Sequence, residues 1–112
     1  MTGPAPTPEP PYWAVIFTAR RTDQPDDSYE QTAERMFALA AKQPGCLGYD
    51  TAGSDELSIT VSYWESEAAI AAWKADIEHL DAQRQGRERW YECFELRVAR
   101  VERAYAFTRP AS

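Results

Sequence analysis

Apolar residues fill both parities of residues 12–18, with Trp13, Val15 and Phe17 on one side and Ala14 and Ile16 on the other. That is the pattern of a strand covered on both faces. Residues 23–27 supply proline and aspartate for a loop, and Ser28 with Gln31 three positions on fits a capping box opening a helix. Ala33, Met36, Phe37 and Ala40 follow at helical spacing until Pro44 and Gly45 end the run. Residues 46–51 read as a second strand with Leu47 and Tyr49 on one face, and 52–55 as a tight hairpin. A third strand follows over 57–63, with Leu57, Ile59, Val61 and Tyr63 aligned. Ser66 caps a second helix whose apolar stripe is Ile70, Trp73, Ile77 and Leu80, and Gly86 marks a break near its end.

The final apolar segment, 91–107, runs about three times the usual strand length. Its alternation also slips: Phe94, Leu96 and Val98 share one parity, while Val101, Tyr105 and Phe107 share the other. A bulge or a change of pairing partner near Ala99 and Arg100 is therefore expected. A strand too long for its own sheet calls for a second molecule.

The order β-α-β-β-α-β defines an α+β, ferredoxin-like arrangement with an antiparallel sheet. Helices on one face of such a sheet leave the other bare, and a second subunit is the simplest cover, so a homodimer is expected. One domain over 12–107 accounts for nearly all of the 112 residues. Residues 1–11 hold five of the eight prolines and almost no large apolar side chain, the composition of a flexible tail. Residues 108–112 form a short C-terminal tail.

Composition narrows the partners. Four Trp and six Tyr exceed what one small core hides, so some are expected to line a cavity or a subunit contact. A formal net charge of −6 opposes binding to nucleic acid or to an anionic membrane. The arginines between 84 and 89 alternate with Glu88 beside Asp81 and Glu92, which reads as solvated ion pairing. Cys46 and Cys93 have no metal or disulfide spacing, so reduced thiols are expected. No apolar run approaches the roughly 20 residues of a membrane span, and the N-terminus lacks the layout of a signal peptide. A cytoplasmic protein is expected.

His79 is the first chemical candidate, because imidazole is the usual proton acceptor near pH 7. Asp76, three residues earlier on the helix, is placed to orient it. The bland alternative is an exposed histidine in an ordinary surface pair. Trp64 at the strand exit and Trp73 on the helix offer rigid walls for a flat aromatic ligand, or simply pack the core. Tyr63 and Tyr91 add phenols able to hydrogen-bond a quinone or phenol oxygen, or serve as amphipathic packing. No GxGxxG, P-loop or multi-histidine cluster indicates a cofactor or metal, and none is expected.

The run ITVSYWESEAAIAAWKADIEHLDAQRQGRERWY, from Ile59 to Tyr91, resembles the strand-to-helix core of the antibiotic biosynthesis monooxygenase (ABM) family, and the likeness extends over 12–107. The resemblance implies a dimeric α+β barrel in which two sheets meet face to face and the last strand reaches across to the partner. It also implies oxygenation of small polyphenolic or polyketide-like substrates without metal or flavin, since a deprotonated electron-rich substrate can itself reduce dioxygen. Haem-degrading relatives place a histidine about three turns after the tryptophan and an asparagine on the first strand. Here that count from Trp73 reaches Gln83, and residues 12–22 hold no asparagine, so haem degradation is disfavoured. The segments YWAVIFTARRT, ITVSYWES, QRQGRERWY and LRVARVERAY are similar to a bacterial subgroup of little-known function. Its second helix has the form WKxHxEH, with Asp76 standing at the first histidine position here. Two main readings follow: a cofactor-independent monooxygenase with His79 as base, and a dimeric small-molecule-binding or stress-associated protein without turnover.

Overall fold

A computed structural model of the chain describes residues 3–22, 28–54, 56–79 and 91–110, with the side chains of 28–33 and 77–79 outside the description. The elements run β1 (Tyr12–Arg21), α1 (Ser28–Lys42), β2 (Cys46–Gly53), β3 (Ser58–Trp64), α2 (Glu67–His79) and β4 (Tyr91–Val101). The four strands form one antiparallel sheet in the order β2-β3-β1-β4, the ferredoxin-like topology. The proposed capping box at Ser28 and Gln31, the helical positions Ala33, Ile77 and Leu80, and the break at Gly86 lie outside the described residues or side chains.

Register assigns every strand residue to a face, because successive side chains alternate. Trp13 pairs with Trp64, Val15 with Ser62 and Phe17 with Thr60. On the other side of β1, Arg100, Val98, Leu96 and Phe94 oppose Trp13, Val15, Phe17 and Ala19. These residues face the helices: Tyr49, paired with Ser62, stacks on Phe37 of α1, and Trp64 stacks on Trp73 of α2. The opposite face carries Tyr12, Ala14, Ile16, Ile59, Val61 and Tyr63, along with Asp50 of β2.

Ser66 caps α2 as expected, its Oγ accepting from the Ala69 amide at 3.1 Å. Gly45 ends the turn after α1 with φ +87, and its carbonyl accepts from the Glu65 amide at 2.9 Å. An added Cβ there would lie 2.6 Å from Ala69 Cβ, so glycine lets the end of α1 meet the start of α2. The hairpin falls later than expected. β2 continues through Gly53, and the Ser54 amide closes the turn onto the Leu57 carbonyl at 2.8 Å. The left-handed φ of +152 at Gly53 brings the backbone too near Leu57 for any side chain, which moves the reversal past the sequence signal.

The irregularity in the last strand also lies elsewhere. The ladder between β1 and β4 is unbroken from Arg20–Cys93 to Tyr12–Val101, and its shift sits between Arg20 and Arg21. β4 stops at Val101 because its neighbour begins at Tyr12 and offers nothing more to pair. Beyond it Tyr105 is 100% exposed and Phe107 79%. The change of parity read at Ala99 and Arg100 thus reflects the end of pairing within the sheet.

Residues 3–11, expected to behave as a flexible tail, reach the face opposite the helices. The Ala5 amide donates to Asp50 Oδ1 at 2.7 Å, and Thr7 Oγ1 is 2.9 Å from the Tyr12 hydroxyl. A backbone donor and a short polar side chain make these contacts, so composition alone did not reveal them. No helix among the described residues is long and apolar enough to cross a membrane.

Gly45→Ala is expected to lower the unfolding free energy by about 2–4 kcal/mol, combining left-handed strain with overpacking against Ala69. Urea denaturation checks it, and a loss below about 0.5 kcal/mol would show that the α1–α2 junction yields freely.

Candidate functional site

Two aromatic groups mark the ends of the helix-facing surface. At one end Trp64 is fully buried, and its ring lies 6.2 Å from that of Trp73 at an interplanar angle of 27°. Its indole N–H is satisfied within the strand, donating to Ser62 Oγ at 2.9 Å. At the other end Phe17, Tyr91 and Phe94 form a triangle, with centroids 5.5 Å apart for Phe17–Tyr91 and 5.3 Å for Phe17–Phe94. Tyr91 and Phe94 close it at 6.0 Å in an edge-on arrangement.

Between them lie Val15 and Phe17 of β1 and Leu96 and Val98 of β4. Leu96 is 51% exposed and Val98 45%, although both are on the face that carries the helices. α1 packs on β2 and α2 on β3. Among the described residues the β1–β4 half presents an apolar trough, a strip with Trp73 toward one end and Tyr91 at the other. Half-exposed aliphatic side chains flanked by aromatic rings form a surface suited to a flat apolar ligand.

Trp64, Trp73 and Tyr91 are therefore brought to one face. Tyr63 is not: adjacent to Trp64 in β3, it projects through the opposite face, and its hydroxyl donates to Asp50 Oδ2 at 2.8 Å. Its expected place beside Trp64 in one pocket is corrected by this alternation. Tyr12 meets it edge-on at 6.0 Å. Burial, followed by the hydrogen bond to Asp50, the charge of that carboxylate and the neighbouring Tyr12, pushes the Tyr63 phenol from 10.0 up to about 12. Tyr63 is thus a neutral hydrogen-bond donor at physiological pH.

Asp76 is exposed on α2. His79 is the last residue of that helix, and its side chain lies outside the described residues. Among the described residues no group of three or more His, Cys, Asp or Glu side chains is arranged to hold a metal ion. Cys46 and Cys93 are free. Trp13, Phe17, Phe94, Leu96 and Val98 were not singled out as site residues from the sequence. The shared parity of the last three was legible, but the β1 register that sets them beside Phe17 and Val15 was not.

The sequence model described as antibiotic biosynthesis monooxygenase matches residues 14–85. Protein YqjZ of Bacillus subtilis (strain 168), whose function is uncharacterized, is 49% identical over 102 residues, covering 90% of this chain and 89% of its own. Jasmonate monooxygenase ABM of Pyricularia oryzae is 27% identical over 92 residues, covering 80% of this chain and 43% of the fungal protein. Among solved structures, SnoaB, a cofactor-independent oxygenase from Streptomyces nogalater, superposes with a TM-score of 0.70 at 16% identity, over 83% of this chain and 95% of its own. Rv0793 from Mycobacterium tuberculosis superposes with a TM-score of 0.68 at 17% identity, over 90% and 99%. At such identities the two structures speak for the fold alone.

The raised Tyr63 phenol has a definite sign for stability. The folded chain holds its proton to higher pH than the unfolded chain, so this contribution is complete below pH 10.0 and is lost as pH rises toward about 12. Absorbance titration is expected to show one tyrosine ionising last, near that upper value, and Tyr63→Phe to remove that step. At neutral pH the same substitution is expected to cost about 1 kcal/mol by urea denaturation, from the lost hydrogen bond to Asp50. An unchanged late step in the variant would assign it to another tyrosine.

Proposed function

Because the chain belongs to the antibiotic biosynthesis monooxygenase family, we propose that it oxygenates a small aromatic or polyketide-like substrate with dioxygen, without metal or flavin. The observation that carries this reading is the apolar trough bounded by the stacked Trp64–Trp73 pair and the Phe17–Tyr91–Phe94 triangle. A flat electron-rich ring laid there loses water from the face that meets the apolar strip. The name borne by the P. oryzae relative lends support.

The chemistry asks little of the protein. For an anthrone-like substrate, a base removes a proton from the ring CH₂, and the resulting enolate gives one electron to dioxygen. Coupling of the two radicals forms a C–O bond, and loss of water from the hydroperoxide leaves a carbonyl. One oxygen atom stays on carbon and the other leaves as water. His79 is the proposed base, with Asp76 orienting it; Trp73 and Tyr91 hold the ring, and Trp64, wholly buried, backs Trp73. Tyr63 has no part in this assignment. The protein acts as a homodimer in the cytoplasm: the apolar face that bears Ile16, Ile59 and Val61 is sealed by a second copy, and the segment carrying Tyr105 and Phe107 reaches across to it.

Oxygen uptake with a panel of anthrones and hydroquinones tests the activity. His79→Ala is expected to lower the rate by about 10²–10⁴-fold, the usual contribution of a general base, while an unchanged rate would remove His79 from that role. Absence of uptake with every compound would favour the second reading, a dimeric small-molecule-binding protein without turnover. For the assembly, sedimentation is expected to report a dimer, and removal of residues 102–112 to weaken it at least tenfold. A monomer at micromolar concentration would contradict the sealed sheet.

A further inference from the structure

The helix-facing surface of the sheet is almost free of charge. From β3 it takes Ser58, Thr60, Ser62 and Trp64, from β1 Trp13, Val15, Phe17 and Ala19, and from β2 Tyr49 and Thr51. None is an aspartate, glutamate, histidine, lysine or arginine. The two charged residues on this face are both arginines, one at each end. Arg21 pairs with Tyr91 across the irregularity, is half-buried and has interactions of its own. Arg100 opposes Trp13 at the other end, is exposed, and has no ion pair among the described residues. By contrast Arg20 pairs with Glu92 at 3.2 Å and Arg97 lies 3.9 Å from Glu95, both on the opposite face of β4 or near its start.

Arg100 thus continues an apolar row with a guanidinium that has no ion pair among the described residues, in a chain of net charge −6. Along β4 the row reads Phe94, Leu96, Val98, Arg100 at every second position. The strand rise puts Arg100 about 7 Å from Val98 and about 13 Å from Leu96. A flat body lying on Leu96 and Val98 would therefore carry any substituent at its Trp13 end within reach of the long arginine side chain. The described strands carry no acidic side chain on this face to compete for the cation or repel an anion; the acid next in sequence at the same parity, Glu102, lies beyond the end of β4.

We propose that the trough binds an amphipathic carboxylate, a planar apolar body bearing one acid group, with Arg100 taking the carboxylate and the Leu96–Val98 strip taking the body. This rests on the trough being the ligand site of the function proposed above, and it narrows the substrate class of that site. The planar fork of arginine matches a carboxylate with two parallel hydrogen bonds, which a neutral amide cannot reproduce. Because Arg100 is exposed, the attraction is screened by salt.

Fluorescence anisotropy of anthracene-2-carboxylate against anthracene-2-carboxamide, in the full-length protein, tests the pairing without requiring turnover. The wild type is expected to bind the acid about tenfold more tightly than the amide, with the preference shrinking as salt is added. Arg100→Gln is expected to bring the two affinities within about twofold by weakening the acid alone, and Arg100→Lys to restore part of the preference. Equal affinities in the wild type, binding of neither probe, or a preference that survives Arg100→Gln would each overturn the proposal. Loss of oxygen uptake with every substrate, with the carboxylate preference intact, would sink the oxygenase reading and leave this one standing. Uptake with neutral anthrones but no carboxylate preference would do the reverse.

Discussion

The sheet is held to its helices at a buried indole. Trp64 ends β3, is wholly enclosed, and stacks on Trp73, the seventh residue of α2. Its N–H is bonded inside its own strand to Ser62, so burial leaves no polar atom unsatisfied. The short connection of Glu65 and Ser66 then has little freedom, because the Glu65 amide is tied to Gly45 and Ser66 caps the helix. The position of α2 beside β3 follows from this anchor.

Alternation along β3 gives the protein two unlike faces. Trp64 looks toward the helices and Tyr63, its neighbour, looks away into a hydrogen-bonded group with Asp50, reached by the Ala5 amide. That second face is apolar over much of its area, yet its polar cluster lies at the end where residues 3–11 cross. A carboxylate that accepts from both a phenol and a backbone amide is well satisfied without a water molecule. The proline-rich stretch therefore meets the domain through its backbone, although its composition offers no core-forming side chains.

Most of the architecture was legible in the chain. Period-two and helical spacing located the elements in their order, and the Ser66 cap and the stop at Gly45 were read at the correct residues. The reversal after β2 was misplaced by about two residues, because the left-handed backbone at Gly53 keeps that residue inside the strand while the turn forms beyond it. Of the two readings at Ala99 and Arg100, the bulge is absent: the ladder there is regular, and pairing within the sheet ends at Val101. Trp64 and Trp73, both singled out in the sequence, stack on one another where the strand exit meets the helix stripe. Grouping Tyr63 with them overlooked that neighbours on a strand cannot share a face.

By itself the sequence determined the local chemistry: which segments extend or coil, where helices begin and stop, and that aromatic residues outnumber what a core of this size can bury. Those properties depend on neighbours within a few residues, so they are written along the chain. Only the tertiary structure decided which faces those residues share. The β1–β4 register sets Phe94, Leu96, Val98 and Arg100 beside Ala19, Phe17, Val15 and Trp13, residues more than seventy positions distant, and a shift of one residue would have turned the whole row to the other side.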